Sequence, residues 1–264
     1  MAQHRFHKMH GLGNDFVVFD ARTDDLVLSG DQARALADRH RGIGCDQLIV
    51  MRPSANADFA MQIFNQDGGE VSACGNATRC VVALAGHDVV IETGAGLLHG
   101  KLGDNAVTID MGQPGLDWDA IPLAYPMDTL HMPVGWEQLN DPAAVNMGNP
   151  HVIFFVEDSH AVELDRLGPL IEHDPLFPER VNVNVAHLAD DGLHLRVWER
   201  GAGLTLACGT GACATAVAAI RRRLVTGPVA VHLPGGTLTI DWQPGGNVQM
   251  AGPATHVFTG EIDL

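Results

Sequence analysis

The feature that most constrains this chain is that it repeats itself. Gly13-Asn14-Asp15-Phe16-Val17-Val18-Phe19 lies over Gly148-Asn149-Pro150-His151-Val152-Ile153-Phe154 at an offset of 135, and Ile63-Phe64-Asn65-Gln66 lies over Val197-Trp198-Glu199-Arg200 at an offset of 134. Continuing without a gap, Gly69 meets Gly203, Ala73 meets Ala207, and Cys74-Gly75 meets Cys208-Gly209; between these anchors Gln47 falls on Asn182. Identity is low, but anchors in the same order at a nearly constant offset mark a duplication. The expected fold is therefore two similar domains related by a pseudo-twofold axis, 1–112 and 113–254. The stretch 111–150, rich in Pro, Gly and Asp, reads as the seam.

Both halves carry short β-like runs bounded by Gly, Asn or Asp. In the first these are 16–20, 48–51, 59–64, 89–92, 96–102 and 106–111; in the second, 151–156, 183–187, 193–199, 229–233, 237–241 and 248–251. Ser29-Gly30-Asp31-Gln32 predicts a capping box opening a helix through His40. Residues 75–84 and 209–220 are apolar on nearly every side, as suits a helix enclosed by other elements, with Gly86 placed to cap the first and Arg221-Arg222-Arg223 to complement the dipole of the second. Each half thus reads as a β-barrel-like sheet around one central helix, an α/β chain of α+β type, with Cys-Gly directly before each central helix.

Composition narrows the partners. With 32 acidic against 16 basic residues the formal charge is −16, a poor match for nucleic acid or an anionic membrane surface. The N-terminus lacks an apolar signal segment, no apolar run is long enough to span a bilayer, and five cysteines are too few and too odd in number for a secreted disulfide scaffold; the chain reads as cytoplasmic. The cysteine spacings suit no zinc knuckle, so no metal site is expected. Cys45, Cys80 and Cys213 read as small buried hydrophobes.

Cys74 and Cys208 are different. A cysteine at a helix N-terminus sits among unpaired N–H groups that can lower its pKa and can also bind a carboxylate. Two such thiols related by a pseudo-twofold axis suit stereoinversion, in which one removes the proton on a Cα and the other delivers a proton to the opposite face. Pyridoxal phosphate, the usual cofactor for amino-acid racemisation, needs a Schiff-base lysine, and only Lys8 and Lys101 exist, neither in a recognisable site; no cofactor is expected. Asn14 with Asn149 and Asn65, Asn182 near predicted strand ends or turns suit a zwitterionic ligand. Arg200 can clamp a carboxylate, Glu199 can accept from an ammonium group, and His151 can assist one thiol.

These residues carry a resemblance. Phe6-His7-Lys8-Met9-His10-Gly11-Leu12-Gly13-Asn14-Asp15-Phe16, Asn65-Gln66-Asp67-Gly68-Gly69, Cys74-Gly75-Asn76-Ala77-Thr78-Arg79, Gly148-Asn149-Pro150-His151, Glu179-Arg180-Val181-Asn182, Trp198-Glu199-Arg200-Gly201 and Ala207-Cys208-Gly209-Thr210-Gly211 resemble the diaminopimelate epimerase family in order over residues 6 to about 215. The resemblance implies cofactor-independent epimerisation of LL- to meso-diaminopimelate in lysine and cell-wall precursor biosynthesis, with Cys74 and Cys208 as the acid/base pair and His151 and Glu199 supporting proton transfer. It implies substrate contacts from Asn14, Gln47, Asn65, Gly75, Asn76, Asn149, Asn182, Glu199, Arg200, Gly209 and Thr210, a homodimer, and a last strand, from about 255 to 264, that returns to the first domain. Gly69 departs from the family's usual Ser, Val152 from a common Cys, and Phe258 from the Tyr expected at the dimer contact. The rival readings are a proline racemase-like or phenazine-biosynthesis-like isomerase on the same duplicated fold, or a binding module in which the Cys-Gly elbows only pack.

Overall fold

The computed structural model describes residues 2–72 and 74–264; Ala73, the repeat partner of Ala207, lies outside them. The chain divides into two compact units, Met1–Asp110 with Gly252–Leu264, and Met111–Ala251.

In the first unit Asn14–Asp20 runs antiparallel to Gln3–Gly11 and parallel to Gln47–Arg52; the latter pairs antiparallel with Phe59–Asn65, which in turn pairs with Glu70–Val71 and, in parallel, with Val89–Thr93. Gly96–Leu102 and Val107–Asp110 complete the meander, and Thr255–Asp263 returns along Gln3–Gly11. Helix α1 (Gly30–Ala37) opens with the predicted capping box, Ser29 and Gln32 bonding each other's backbone, worth about 1 kcal/mol. It ends three residues before His40, because the Asp38 carboxylate captures the N–H groups of His40 and Arg41 and turns the chain. The buried face of α1 packs with Phe19, Leu48, Val50 and Phe64. On the other face lies α2 (Gly75–Ala85), closed by Gly86 in the left-handed region at φ 77°. It touches strands from both ends of the sheet; a Cβ on Gly100 would come within 2.3 Å of Val82, so only glycine admits this approach.

The second unit repeats the plan apart from the returning strand Thr255–Asp263. Pro150–Phe155 runs antiparallel to Ala143–Asn146 and parallel to Asn182–Ala189, which pairs with Gly192–Glu199; that strand pairs with Gly203–Thr205 and, in parallel, with Val229–Leu233, followed by Gly236–Asp241 and Gln249–Gly252. Even the register is kept. Phe16 faces Gln47 as His151 faces Asn182, and Phe64 faces Leu48 as Trp198 faces Val183. The duplication is thus one of pairing as well as sequence.

Besides the short strands Glu70–Val71 and Gly203–Thr205 and the single turn Ser159–Ala161, three larger stretches escaped the sequence patterns. The stretch 111–150 is not a mere seam: Ile121, Leu123, Met132, Leu139 and Ala144 enter the core of the second unit. They are spaced irregularly among prolines and glycines and show no period. The same core buries α3 (Leu164–Glu172), whose Leu164, Leu167 and Ile171 form one stripe despite Pro169 inside the helix. The opening strand Gln3–Gly11 alternates only weakly because it is half-exposed. Helix α4 (Gly209–Arg221) is buried along ten positions and touches six strands of its unit. No helix among the described residues is long and apolar enough to cross a membrane.

Candidate active site

Cys74 and Cys208 occupy the same local position in their units, the extended N-cap residue of the central helix. Their surroundings differ. Asn14 accepts from the Cys74 thiol at 3.9 Å and from Asn76 Nδ2 at 3.2 Å, and its own Nδ2 donates to Asp46 at 3.0 Å. Behind this cluster stands a fully buried arginine, Arg79, donating to Asn76 Oδ1 at 2.8 Å and to the Pro253 carbonyl at 3.2 Å. Asp46 and Asp15 share Arg39, at 2.8 and 2.6 Å, while Lys8 bonds Asp15 and the Gly44 carbonyl. Burial would raise Asp15, but Arg39 and Lys8 outweigh it and hold the carboxyl at about 2. Nearby, Gln47 donates to Asn65 Oδ1 at 2.9 Å, and its own Oε1 is buried without a partner.

Cys208 is 3% exposed. The Gly211 N–H donates to its sulfur at 3.4 Å and the Thr210 hydroxyl lies 3.6 Å away. A helix N-terminus lowers a thiol's pKa in the open. Here burial outweighs that effect, the Glu199 carboxylate adds to it, and the thiol is raised well above its usual value. Glu199 is half-buried and raised by burial, with the Thr205 hydroxyl donating to it at 2.5 Å. The pair rests as a thiol beside a carboxylate able to take its proton. Cys45 and Cys80 are pushed up by burial to about 11 and about 12, as suits inert core thiols.

The remaining residues of the second unit fall into a frame and a tip. Asn182, 2% exposed, donates to the Pro150 carbonyl and accepts from the Arg200 N–H; its side chain ties two backbone segments together. Arg200 is exposed and donates to the Glu179 carbonyl at 2.9 Å. His151 has both ring nitrogens engaged, Nε2 with Asn149 Oδ1 at 3.0 Å and Nδ1 with Asn184 Nδ2 at 3.1 Å. The N–H therefore lies on Nε2 and fixes the Asn149 amide, while Nδ1 accepts from Asn184. Gly75 and Gly209 open the two helices.

Two framing residues were not read from the sequence. Glu172, 2% exposed, accepts from Trp198 Nε1 at 2.7 Å and from the Gly201 N–H at 3.0 Å, holding the turn that carries Glu199 and Arg200; a carboxylate on the apolar stripe of α3 was the available signal. Asn184 is fully buried with Oδ1 unpartnered. That oxygen lies 2.7 Å, and Cys208 Sγ 3.2 Å, from where a Cβ on Gly211 would stand. Gly211→Ala should gain roughly 0.5–1 kcal/mol of helix propensity yet displace the sulfur and the amide. Since misplacing a reacting group by about 1 Å costs about 10²-fold, kcat/KM is expected to fall by that order while Tm holds; unchanged kcat/KM would contradict this account.

His151 also makes a stability prediction. Burial, against the Asn184 hydrogen bond, depresses its pKa to about 3, below the roughly 6.5 of an unfolded histidine. The unfolded chain then binds one more proton between those values, so this contribution is complete above about pH 6.5 and is lost as pH falls, by about 1.4 kcal/mol per unit. Urea unfolding should show His151→Gln losing about 2 kcal/mol less than wild type between pH 6 and 4; parallel curves would count against it.

The duplicated sheet-and-helix fold defines a class of structures. Solved members resemble this chain at a level that shows the fold alone: a phenazine biosynthesis protein of the PhzF family from Bacillus anthracis (TM-score 0.73, 17% identity, 100% of each chain) and a hydroxyproline epimerase from Agrobacterium vitis (TM-score 0.67, 16% identity, 99% and 91%). The family model for diaminopimelate epimerase matches residues 6–116 and 143–257. Relatives named diaminopimelate epimerase include those of Rhizorhabdus wittichii, 66% identical over 99% of this chain and 96% of the relative, and Sphingopyxis alaskensis, 62% identical over 98% and 97%. The chain belongs to the diaminopimelate epimerase family.

Proposed function

We infer that this chain is an isomerase that interconverts LL- and meso-2,6-diaminopimelate in lysine and cell-wall precursor biosynthesis, by two bases and without a cofactor. The observation that carries the mechanism is the paired N-cap: register-matched units each end a turn in a cysteine at the mouth of a buried helix. One sulfur, as thiolate, removes the Cα proton. The electron pair moves into the adjacent carboxylate, where helix N–H groups stabilise the developing charge. The other sulfur, as thiol, delivers its proton to the opposite face. When Cys208 is the base, Glu199 accepts its proton first. Asn14 and Asn76 orient Cys74; Thr210 and the Gly211 N–H orient Cys208; His151 acts through Asn149. Arg200, with Asn65, meets the distal ammonium–carboxylate end, and Asn182, Gln47 and the glycines at 75 and 209 shape the contacts.

Cofactor independence has support in Lys8, which is bound to Asp15 and Gly44 and cannot form a Schiff base without breaking both. The reading includes a cytoplasmic homodimer, for which Val257 and Phe258, 54% and 46% exposed on the strand Thr255–Asp263, offer apolar surface; light scattering tests it. The test of the reaction is incubation of LL-diaminopimelate in heavy water. Product meso isomer should carry one deuterium, at the inverted Cα, and the rate should survive dialysis, chelators and hydroxylamine. Inversion without solvent deuterium, or a dialysed protein revived only by pyridoxal phosphate, would overturn the reading.

A further inference from the structure

Outside these residues the second unit carries a row of histidines that the proposed reaction does not use. His187, His194 and His232 stand side by side because their strands pair them: His187 faces His194 in the antiparallel pair, and His194 faces His232 in the parallel pair. The His187 and His194 rings stack 4.9 Å apart, and the His232 ring lies 4.7 Å from His194, tilted by 32°. Asp191 closes the row, its carboxylate 2.9 Å from His194 Nε2 and 3.6 Å from His232 Nε2.

We propose that Asp191, His194 and His232 form a binding site for a divalent transition-metal ion of the zinc type. One donor atom from each of the three lies within 4.8 Å of the others. Tetrahedral zinc with bonds of about 2.0–2.2 Å brings its donors to roughly 3.3–3.5 Å from one another, so small side-chain rotations close the set, with water as the fourth ligand. Two imidazoles and a carboxylate are the donor types that zinc takes in open sites.

The surroundings orient the donors. His232 Nε2 lies 3.0 Å from the Asp191 carbonyl oxygen and Nδ1 2.9 Å from the Thr237 hydroxyl, so without metal Nε2 donates to that carbonyl and Nδ1 accepts from Thr237. A metal ion takes the place of the Nε2 proton, and the proton then sits on Nδ1 and is donated to Thr237, an outer hydrogen bond of the kind metal-bound histidines make. His194 is held by rings on both sides. Gly192 adopts φ 136°, and a Cβ there would strike the Ala230 carbonyl at 2.4 Å. Only glycine lets the turn at 190–192 lie directly on the strand Val229–Leu233, and that contact is what carries Asp191 to His232. The net charge of −16 favours a cation at any such cluster. Bound metal would pin this turn to the strand, so its effect is expected on stability and not on the proton transfers.

The experiment is zinc titration by isothermal calorimetry with thermal melts, on the wild-type chain and on a C74S/C208S chain, since reactive thiols also bind zinc. One ion per chain should bind in both, with Tm rising. H194Q and H232Q should each weaken binding at least about ten-fold and abolish the rise in Tm, and D191N should weaken it as well. Unchanged affinity in H194Q and H232Q, or binding that disappears in C74S/C208S, would overturn the proposal.

Discussion

Cys74→Ala and Cys208→Ala should each lower kcat/KM for diaminopimelate epimerisation by about 10²–10⁴-fold or more, the range of a positioned acid or base, and in both directions, because inversion needs a proton taken from one face and another given to the other. The two variants should not be equivalent in every respect. Each keeps one base, so each should still exchange the α-proton of one stereoisomer with solvent while failing to invert it. Cys208 should also depend on Glu199, since burial and that carboxylate keep its proton on; Glu199→Gln preserves a hydrogen bond but cannot take the proton, and should depress turnover with Cys208 intact. Cys45→Ala is the control. That thiol is fully buried in the core beneath α1, pushed up to about 11, and its loss should leave turnover nearly unchanged. Stereoisomer-resolved kinetics and exchange by mass spectrometry measure all four; near wild-type inversion in either Cys74→Ala or Cys208→Ala would end the two-base account.

Lysine and proline should react at least about 10⁴–10⁵-fold more slowly than LL-diaminopimelate, and the DD isomer should react poorly. A site built to bond a polar group rejects the analogue that lacks it, because its own groups are then left unpaired. The distal group in question is an L-configured ammonium–carboxylate. Arg200 is suited to it: its backbone N–H is fixed by Asn182 and its Nη1 by the Glu179 carbonyl, leaving a planar fork in a held orientation. Arg200→Lys keeps the charge and loses the fork, and should cost about 10–100-fold in kcat/KM, the equivalent of one or two unmade hydrogen bonds. The acidic chain as a whole repels carboxylates, which makes a local cation more necessary. Comparable kcat/KM for proline and LL-diaminopimelate, or an Arg200→Lys variant as active as wild type, would remove Arg200 from the clamp.

Much of this was legible because it is local or periodic. Cys-Gly before an apolar stretch is a contiguous pattern, and Ser29 with Gln32 is another. The duplication was legible for a different reason: a constant offset needs no contact to be seen. It carried further than identity alone suggested, since the paired registers of Gln47 and Asn182 follow the same offset. Where periodicity failed, so did the reading, as in the stretch 111–150, whose core residues are scattered singles, and in α3, where Pro169 interrupts the pattern.

The sequence by itself determined that the chain is built twice over, that each half encloses one apolar helix, and that a cysteine stands at the mouth of each. Only the tertiary structure decided how those equivalent cysteines differ. Positions 14 and 149 are both asparagine, yet one is bonded to Cys74, Asn76 and Asp46 while the other is fixed by His151. The helix N-terminus at Cys208 was expected to favour the thiolate, but burial beside Glu199 reverses the direction, and burial is a property of packing that no local motif encodes. The same holds for Arg79 and Pro253, for Asn184 and Gly211, and for Asp191 and His232. Each pair is distant along the chain and adjacent only because the sheet and the helices packed on it bring it together, so its chemistry exists once the fold has formed and not before.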